Sequence, residues 1–226
     1  MLIRIALETI CMKGLILVHM GKREEGTDLV KNGMRLDLMS HIVWHVFGLI
    51  QKAEKKYDEA LKSYTQALKF DKVRLPHPHT PRPSSDRAAH LQDNMNLLRD
   101  TSNLQTHLRM YDALVESRLA ILRVRPNMRQ HWVGLAGAYH LNGNLEEAKK
   151  TLETYETVLK EVPNYDVELS EVLLYHVRIL EELGEYAPAL SKLDQESKSR
   201  RIVDRTAILE QRGTARVNNL VPHCYV

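Results

Sequence analysis

Residues 41–70 read HIVWHVFGLIQKAEKKYDEALKSYTQALKF. Apolar residues recur at helical spacing on both sides of the polar stretch QKAEKK, so the segment predicts two amphipathic helices joined by a tight turn. The turn recurs: GKREEGTDL at 21–29, KKYDEALKS at 55–63, GNLEEAKKT at 143–151 and GEYAPALSK at 184–192 each follow one helical apolar run and start another. Gly14 and Gly48 stand 34 residues apart, as do Gly26 and Ala60. Self-similarity at a fixed period of this size is the signature of stacked helical units.

A 34-residue period is that of the tetratricopeptide repeat, in which each unit is a pair of antiparallel helices, A and B. The predicted fold class is therefore all-α, a tetratricopeptide α-solenoid of helix-turn-helix pairs. In the unit at 41–74, Trp44, Gly48, Ala60, Tyr64 and Ala67 take the motif's fourth, eighth, twentieth, twenty-fourth and twenty-seventh positions, while Gln51 replaces its second helix A aromatic. The unit at 129–163 carries Trp132, Ala136, Tyr139, Ala148 and Leu152 in the same register and ends near Pro163. Units at 7–40 and 170–203 are in phase, with Gly14, Gly26 and Val30 in one and Leu173, Ala189 and Leu193 in the other. Small residues at the eighth and twentieth positions let the two helices approach closely, and the bulky positions fill the space between neighbouring helices.

The third unit breaks the phase. Pro126 sits at its terminal position and places its start near Met95, twenty residues later than expected. The intervening sequence, VRLPHPHTPRPSSDRAAHLQ at 73–92, holds four of the chain's eight prolines and lacks apolar periodicity. It reads as a disordered insertion or as sequence foreign to the mature protein, such as an unspliced intron. The organisation expected is thus units one and two over 1–74, a Pro/His-rich insertion over 75–94, units three to five over 95–203, and the start of a further helix with an irregular tail over 204–226. In that last stretch the pattern is expected to fade after about Gly213, which reads as a truncation or frame error spanning 214–226.

The 226 residues are 43% apolar and 27% charged, with a net charge of +3, an excess too small to announce a nucleic-acid protein. Cys11 and Cys224 stand far apart, so neither a disulfide framework nor a structural zinc site is supported, and a reducing compartment fits better. Arg4, Glu8 and Lys13 interrupt the apolar N-terminal stretch before it reaches membrane-spanning length. His41 and His45 have a spacing that suits metal ligation, but no third ligand follows, and Trp44 between them belongs to the repeat. Gly-rich phosphate loops, nucleophile elbows and HExxH motifs are missing, while the recurrent Glu-Glu pairs sit where helix capping explains them. Lys198, Arg200 and Arg201 form one of several basic clusters and are the candidate contact surface for a phosphate backbone such as rRNA.

The stretches SHIVWHVFGL with KKYDEAL, and RPNMRQHWVGLAGAYHL, resemble the N-terminal tetratricopeptide region of the auxiliary subunit of the NatA N-terminal acetyltransferase complex. The resemblance covers most of residues 8–213 once the insertion is set aside. It implies a non-catalytic cytoplasmic scaffold that binds a catalytic acetyltransferase subunit, anchors it to the ribosome near the exit tunnel and supports co-translational acetylation of nascent chains. Acetyl-CoA would then be held by the catalytic partner, with no cofactor and no membrane contact in this chain. Against the family, the sequence lacks about one repeat at its start, carries the Pro/His segment and stops before the large C-terminal helical region, where the inositol-phosphate site would lie. The alternative is a generic tetratricopeptide peptide-binding or cochaperone adaptor; that reading requires a carboxylate clamp of Lys and Asn projecting from helix A positions, which the repeats do not make legible.

Overall fold

The chain is built of helices of 13 to 24 residues separated by short polar turns, and all regular structure among the described residues is helical. A computed structural model of the chain describes residues 2–73, 84–158, 167–199 and 205–220, with side chains placed over 6–70, 94–158, 167–198 and 206–217. The chain divides into two units, Met1–Val124 and Arg125–Val226. The first holds α1 (Leu2–His19), α2 (Arg23–Leu36), α3 (His41–Ala53), α4 (Tyr57–Val73), α5 (Ser84–His107) and α6 (Tyr111–Val124). The second holds α7 (Arg129–Leu141), α8 (Leu145–Val158), α9 (Val167–Glu182), α10 (Tyr186–Ser199) and α11 (Arg205–Leu220). Sequence neighbours pack as antiparallel pairs, α1 on α2, α3 on α4, α5 on α6, α7 on α8 and α9 on α10.

One backbone device makes all five pair turns. Gly21, Lys55, Arg109, Gly143 and Gly184 each adopt the left-handed conformation, with φ between 56° and 87°. In every case the next residue's N–H reaches back five residues, as from Asn144 to the Tyr139 carbonyl at 2.9 Å and from Met110 to the Gln105 carbonyl at 2.8 Å. This closure satisfies a carbonyl that the end of helix A would otherwise leave bare. Glycine supplies the conformation freely at three turns, whereas Lys55 and Arg109 hold it against their own Cβ.

Small residues set the spacing within each pair. A Cβ added to Gly48 would sit 2.5 Å from the Tyr64 ring, and one added to Gly14 would sit 2.7 Å from the Gly26 carbonyl oxygen. Ala60, Ala67, Ala136, Ala148 and Ala189 are wholly buried, as is Tyr64. Trp44 and Trp132 are half-buried, and each indole Nε1 donates at 2.7 Å to a carbonyl six residues upstream, Leu38 and Pro126 respectively. The wedge positions therefore also fasten the linker that enters helix A. Where Gln51 replaces the aromatic, it is buried and accepts a hydrogen bond from Ser63 Oγ at 2.6 Å, joining α3 to α4 by a polar contact.

Two boundaries differ from the expected organisation. Helix α5 begins at Ser84, so the part of the expected insertion from 84 to 94 is helical, while residues 74–83 lie outside the described residues. Ser84 and Ser85 follow the last proline of the cluster, and Ala88 and Ala89 are strong helix formers, so the helix starts as soon as proline stops forbidding it. Helix α11 likewise continues past Gly213 to Leu220, because Ile208 and Ala215, seven residues apart on one face, are both buried. Residues 221–226 lie outside the described residues.

Gly26→Ala, which drives a methyl against the Gly14 carbonyl and Val18, is expected to lower the unfolding free energy by about 1–3 kcal/mol. Gly137→Ala, where an added Cβ meets nothing, is expected to raise it by about 0.5–1 kcal/mol. Arg109→Gly relieves the left-handed strain at its turn and is expected to stabilise by about 0.5–1 kcal/mol after glycine's larger unfolded-state entropy. Urea titrations followed by far-ultraviolet circular dichroism measure all three.

Candidate functional site

The repeat register determines which side chains line the inner helices. In the units starting at 41 and 95, the second, fifth and ninth positions are Ile42, His45 and Leu49 on α3 and Asn96, Arg99 and Asn103 on α5. Residues spaced this way share one helix face. In the first unit of the structure these faces border a groove of about 540 Å³, which Met12 of α1 also lines. One wall is apolar, built from Met12, Ile42 and Leu49; the other presents Asn96, Arg99, Asp100 and Asn103.

Asp100 sits between the walls. Its Oδ2 lies 3.0 Å from His45 Nε2 and its Oδ1 accepts from Lys52 Nζ at 3.4 Å. Burial pushes the Asp100 carboxyl up, but the His45 hydrogen bond and the Lys52 charge outweigh burial and hold it below the usual aspartate range. The His45 ring meets the edge of Tyr64 at 5.5 Å, and burial followed by the Asp100 charge pushes the Tyr64 phenol well up, so it stays neutral. On α6, Arg118 is half-buried; burial first, then the neighbouring Arg99 charge, disfavours its protonated form. Neither Arg99 nor Arg118 has a carboxylate in salt-bridge range among the described residues.

The second unit uses the same type of tie. His176 Nδ1 and Lys192 Nζ hold the two oxygens of Glu156 at 2.7 and 2.6 Å, and Lys149 Nζ takes both oxygens of Glu185 at 2.6 and 2.7 Å. His140 contacts Glu182 at 2.8 Å and the Tyr175 hydroxyl at 3.1 Å. These partners are 35 or 36 residues apart for Tyr175, Glu185 and Lys192, about one repeat, so each bond staples neighbouring pairs. His45 and Asp100, 55 residues apart, make the equivalent tie across the additional segment.

The candidate residues separate by role. The repeat-defining residues Gly14, Gly26, Trp44, Gly48, Ala60, Tyr64, Ala67, Trp132, Ala136, Tyr139, Ala148 and Ala189 lie at helix-pair contacts, while Pro126 supplies the carbonyl for Trp132. Lys198 is exposed on α10 beside Asp194, itself paired with Arg212 at 2.8 Å, and Arg200 and Arg201 lie outside the described residues. Of the other basic residues, Lys52, Lys56 and Arg129 are paired with Asp100, Glu54 and Glu168. His41 and His45 border the groove, yet no group of three or more His, Cys, Asp or Glu side chains among the described residues is arranged to hold a metal ion. Burial and Glu8 push the Cys11 thiol up to about 11, which keeps it protonated at neutral pH. Sequence reading missed Arg99 and Asn103; counting the second, fifth and ninth positions of the unit beginning at 95 would have found them.

A tetratricopeptide-repeat family model matches residues 42–73, the pair whose sequence sets the register. The chain is 42% identical over 156 residues to the mouse protein N-alpha-acetyltransferase 16, NatA auxiliary subunit, a match covering 69% of this chain and 16% of that relative. The chain is homologous to the NatA auxiliary subunits. An Arabidopsis thaliana N-terminal acetyltransferase A complex auxiliary subunit is 37% identical over 154 residues, 68% of this chain and 15% of its own length. A solved Naa15/Naa10 structure bound to HypK-THB matches with a TM-score of 0.72 and 38% identity over 95% of this chain and 29% of that one. The chain thus spans about a sixth of the length of the curated NatA relatives it matches, and its fold is a tetratricopeptide solenoid.

Burial pushes the Glu156 carboxyl up, but hydrogen bonds from His176 and Lys192 outweigh it and hold the group below the usual glutamate value. A depressed folded-state value means the stabilisation is present above the ordinary glutamate range and is lost as pH falls through the lowered one. Glu156→Gln is expected to cost about 1.5–3 kcal/mol at pH 7, with the gap to wild type narrowing below about pH 4.3. Urea midpoints measured from pH 7 down to pH 3 give the profile.

Proposed function

We propose that this chain acts as a non-catalytic scaffold segment of an N-terminal acetyltransferase complex, binding the catalytic subunit and supporting acetylation of nascent chains at the ribosome. The observation that carries this reading is the 42% identity, over 69% of the chain, to a mouse protein named as a NatA auxiliary subunit. The architecture suits a scaffold, since each helix pair exposes one inner and one outer face, and stacked pairs offer extended docking surfaces without a catalytic centre of their own. Exposed apolar side chains such as Met20, Leu36 and Met39, at 70%, 74% and 62%, are the kind of surface a partner covers. In this reading acetyl-CoA belongs to the catalytic partner, the basic residues Lys198, Arg200 and Arg201 face rRNA, and the complex works in the cytoplasm. No helix among the described residues is long and apolar enough to cross a membrane.

Affinity purification of the tagged chain from its native cells is expected to retain an acetyltransferase subunit that acetylates peptide N-termini, while the chain purified alone transfers no acetyl group. Recovery of ribosomes without any transferase, or acetyl transfer by the isolated chain, overturns the scaffold assignment.

A further inference from the structure

Asn-Gly occurs twice in the sequence, at Asn32-Gly33 and at Asn142-Gly143. The dipeptide is chemically labile, because glycine has no side chain to shield its amide nitrogen from the carboxamide of the asparagine before it. The two copies sit in opposite surroundings. Gly33 is buried in α2 against α1, and a Cβ built on it would lie 2.6 Å from Cys11 Sγ and 3.4 Å from Leu7. Asn142 and Gly143 are exposed in the turn from α7 to α8, and a Cβ on Gly143 would meet nothing within 4 Å.

Reaction requires the glycine nitrogen to swing toward the preceding side chain, which rotates the peptide plane between the two residues. At Asn142, where ψ is 1°, that rotation gives up the bond from the Gly143 N–H to the His140 carbonyl at 3.0 Å and displaces nothing packed against Gly143. At Asn32 the same rotation pulls Gly33 off the α1 seam and moves the carbonyl that accepts from the Asp37 N–H at 3.2 Å. Opening an exposed helix end costs little, whereas opening a packed seam approaches the cost of unfolding the pair.

We infer that Asn142-Gly143 is a site of spontaneous deamidation in the folded chain, and that the contact of α2 on α1 shields Asn32-Gly33 from the same reaction. The Gly143 nitrogen gives up its proton to solvent and attacks Cγ of Asn142. The N–Cγ bond forms, the bond from Cγ to the side-chain nitrogen breaks, and that nitrogen takes a proton and leaves as ammonia. Water then opens the cyclic imide: opening at Cγ gives aspartate, and opening at the main-chain carbonyl carbon gives isoaspartate, in which the backbone runs through the former side chain. Nothing is oxidised or reduced, and water is the one co-reactant.

Both products weaken the turn. Each leaves a carboxylate at the C-terminal end of α7, the negative end of the helix dipole. Isoaspartate also inserts a methylene into the main chain just before Asn144, whose N–H closes the turn on the Tyr139 carbonyl at 2.9 Å. The packing of α7 on α8 therefore loosens as the chain ages, whatever partner the chain binds.

The test ages the full 226-residue chain in mildly alkaline buffer made with heavy-oxygen water and reads both sites by peptide mass spectrometry at intervals. In the folded chain Asn142 is expected to convert about tenfold faster than Asn32, each event taking up solvent oxygen, while in guanidinium chloride the two convert at similar rates. An isoaspartate-specific carboxyl methyltransferase supplied with labelled S-adenosylmethionine is expected to mark the peptide containing residue 142 and to leave that containing residue 32 unlabelled. Aged wild type is expected to show a lowered urea midpoint, and aged Asn142→Gln, whose longer side chain closes an imide far more slowly, to keep its fresh value. Conversion of Asn32 as fast as Asn142 in the folded chain overturns the proposal, as does absence of conversion at Asn142. So does a lead of the same size in guanidinium chloride, which would assign the preference to the flanking sequence. An unchanged midpoint in converted wild type overturns the loosening of the turn.

Discussion

The molecule depends on how closely its helices cross. In the first pair, Gly14 and Gly26 bring one backbone almost onto the other, and in the second the ring of Tyr64 lies against the bare Cα of Gly48. At that separation the pair excludes water along its seam, and the bulky residues at neighbouring positions have a fixed volume to fill. Everything that positions the groove follows from it: α3 stands where α4 holds it, and α5 where α6 does. Enlarging a seam residue in one pair therefore disturbs the surfaces that the pair displays as well as its own stability.

The fold was legible because it repeats. Trp44 and Trp132, Ala60 and Ala148, and the glycine turns at Gly143 and Gly184 announce themselves by spacing, since a physical requirement met several times leaves the same mark several times. What repetition could not announce were the substitutions. Lys55 and Arg109 take the left-handed turn position normally given to glycine, and only the backbone reveals it. The helix from Ser84 was hidden by the proline cluster before it, which draws the eye from a run of ordinary helix formers. The continuation of α11 was hidden by sparse apolar content, two buried residues seven apart being enough to keep a helix seated when a neighbour already waits for it.

The groove was less legible than the fold, for a different reason. Its apolar wall is made from positions the repeat already marks, but its polar wall comes from the unit whose phase is broken, and a residue's face cannot be named until its register is known. Once Met95 is taken as the first residue, Asn96, Arg99 and Asn103 fall in line opposite Ile42, His45 and Leu49. The charge pattern needed the structure as well, because Lys52 and Asp100 look like unrelated surface charges until they are seen to cancel. Counting basic residues from sequence alone overstates the free positive surface: Lys52 and Arg129 are already paired with carboxylates of the next helix pair.

The bridge from His45 and Lys52 to Asp100 has one more consequence. It joins α3 to α5 beside the groove, with none of the three side chains fully exposed. A cleft held only by apolar packing can widen and narrow; one bridged by a hydrogen-bonded carboxylate keeps a set opening. The spacing of α3 and α5 is then held by that bridge as well as by the apolar seams of their own pairs.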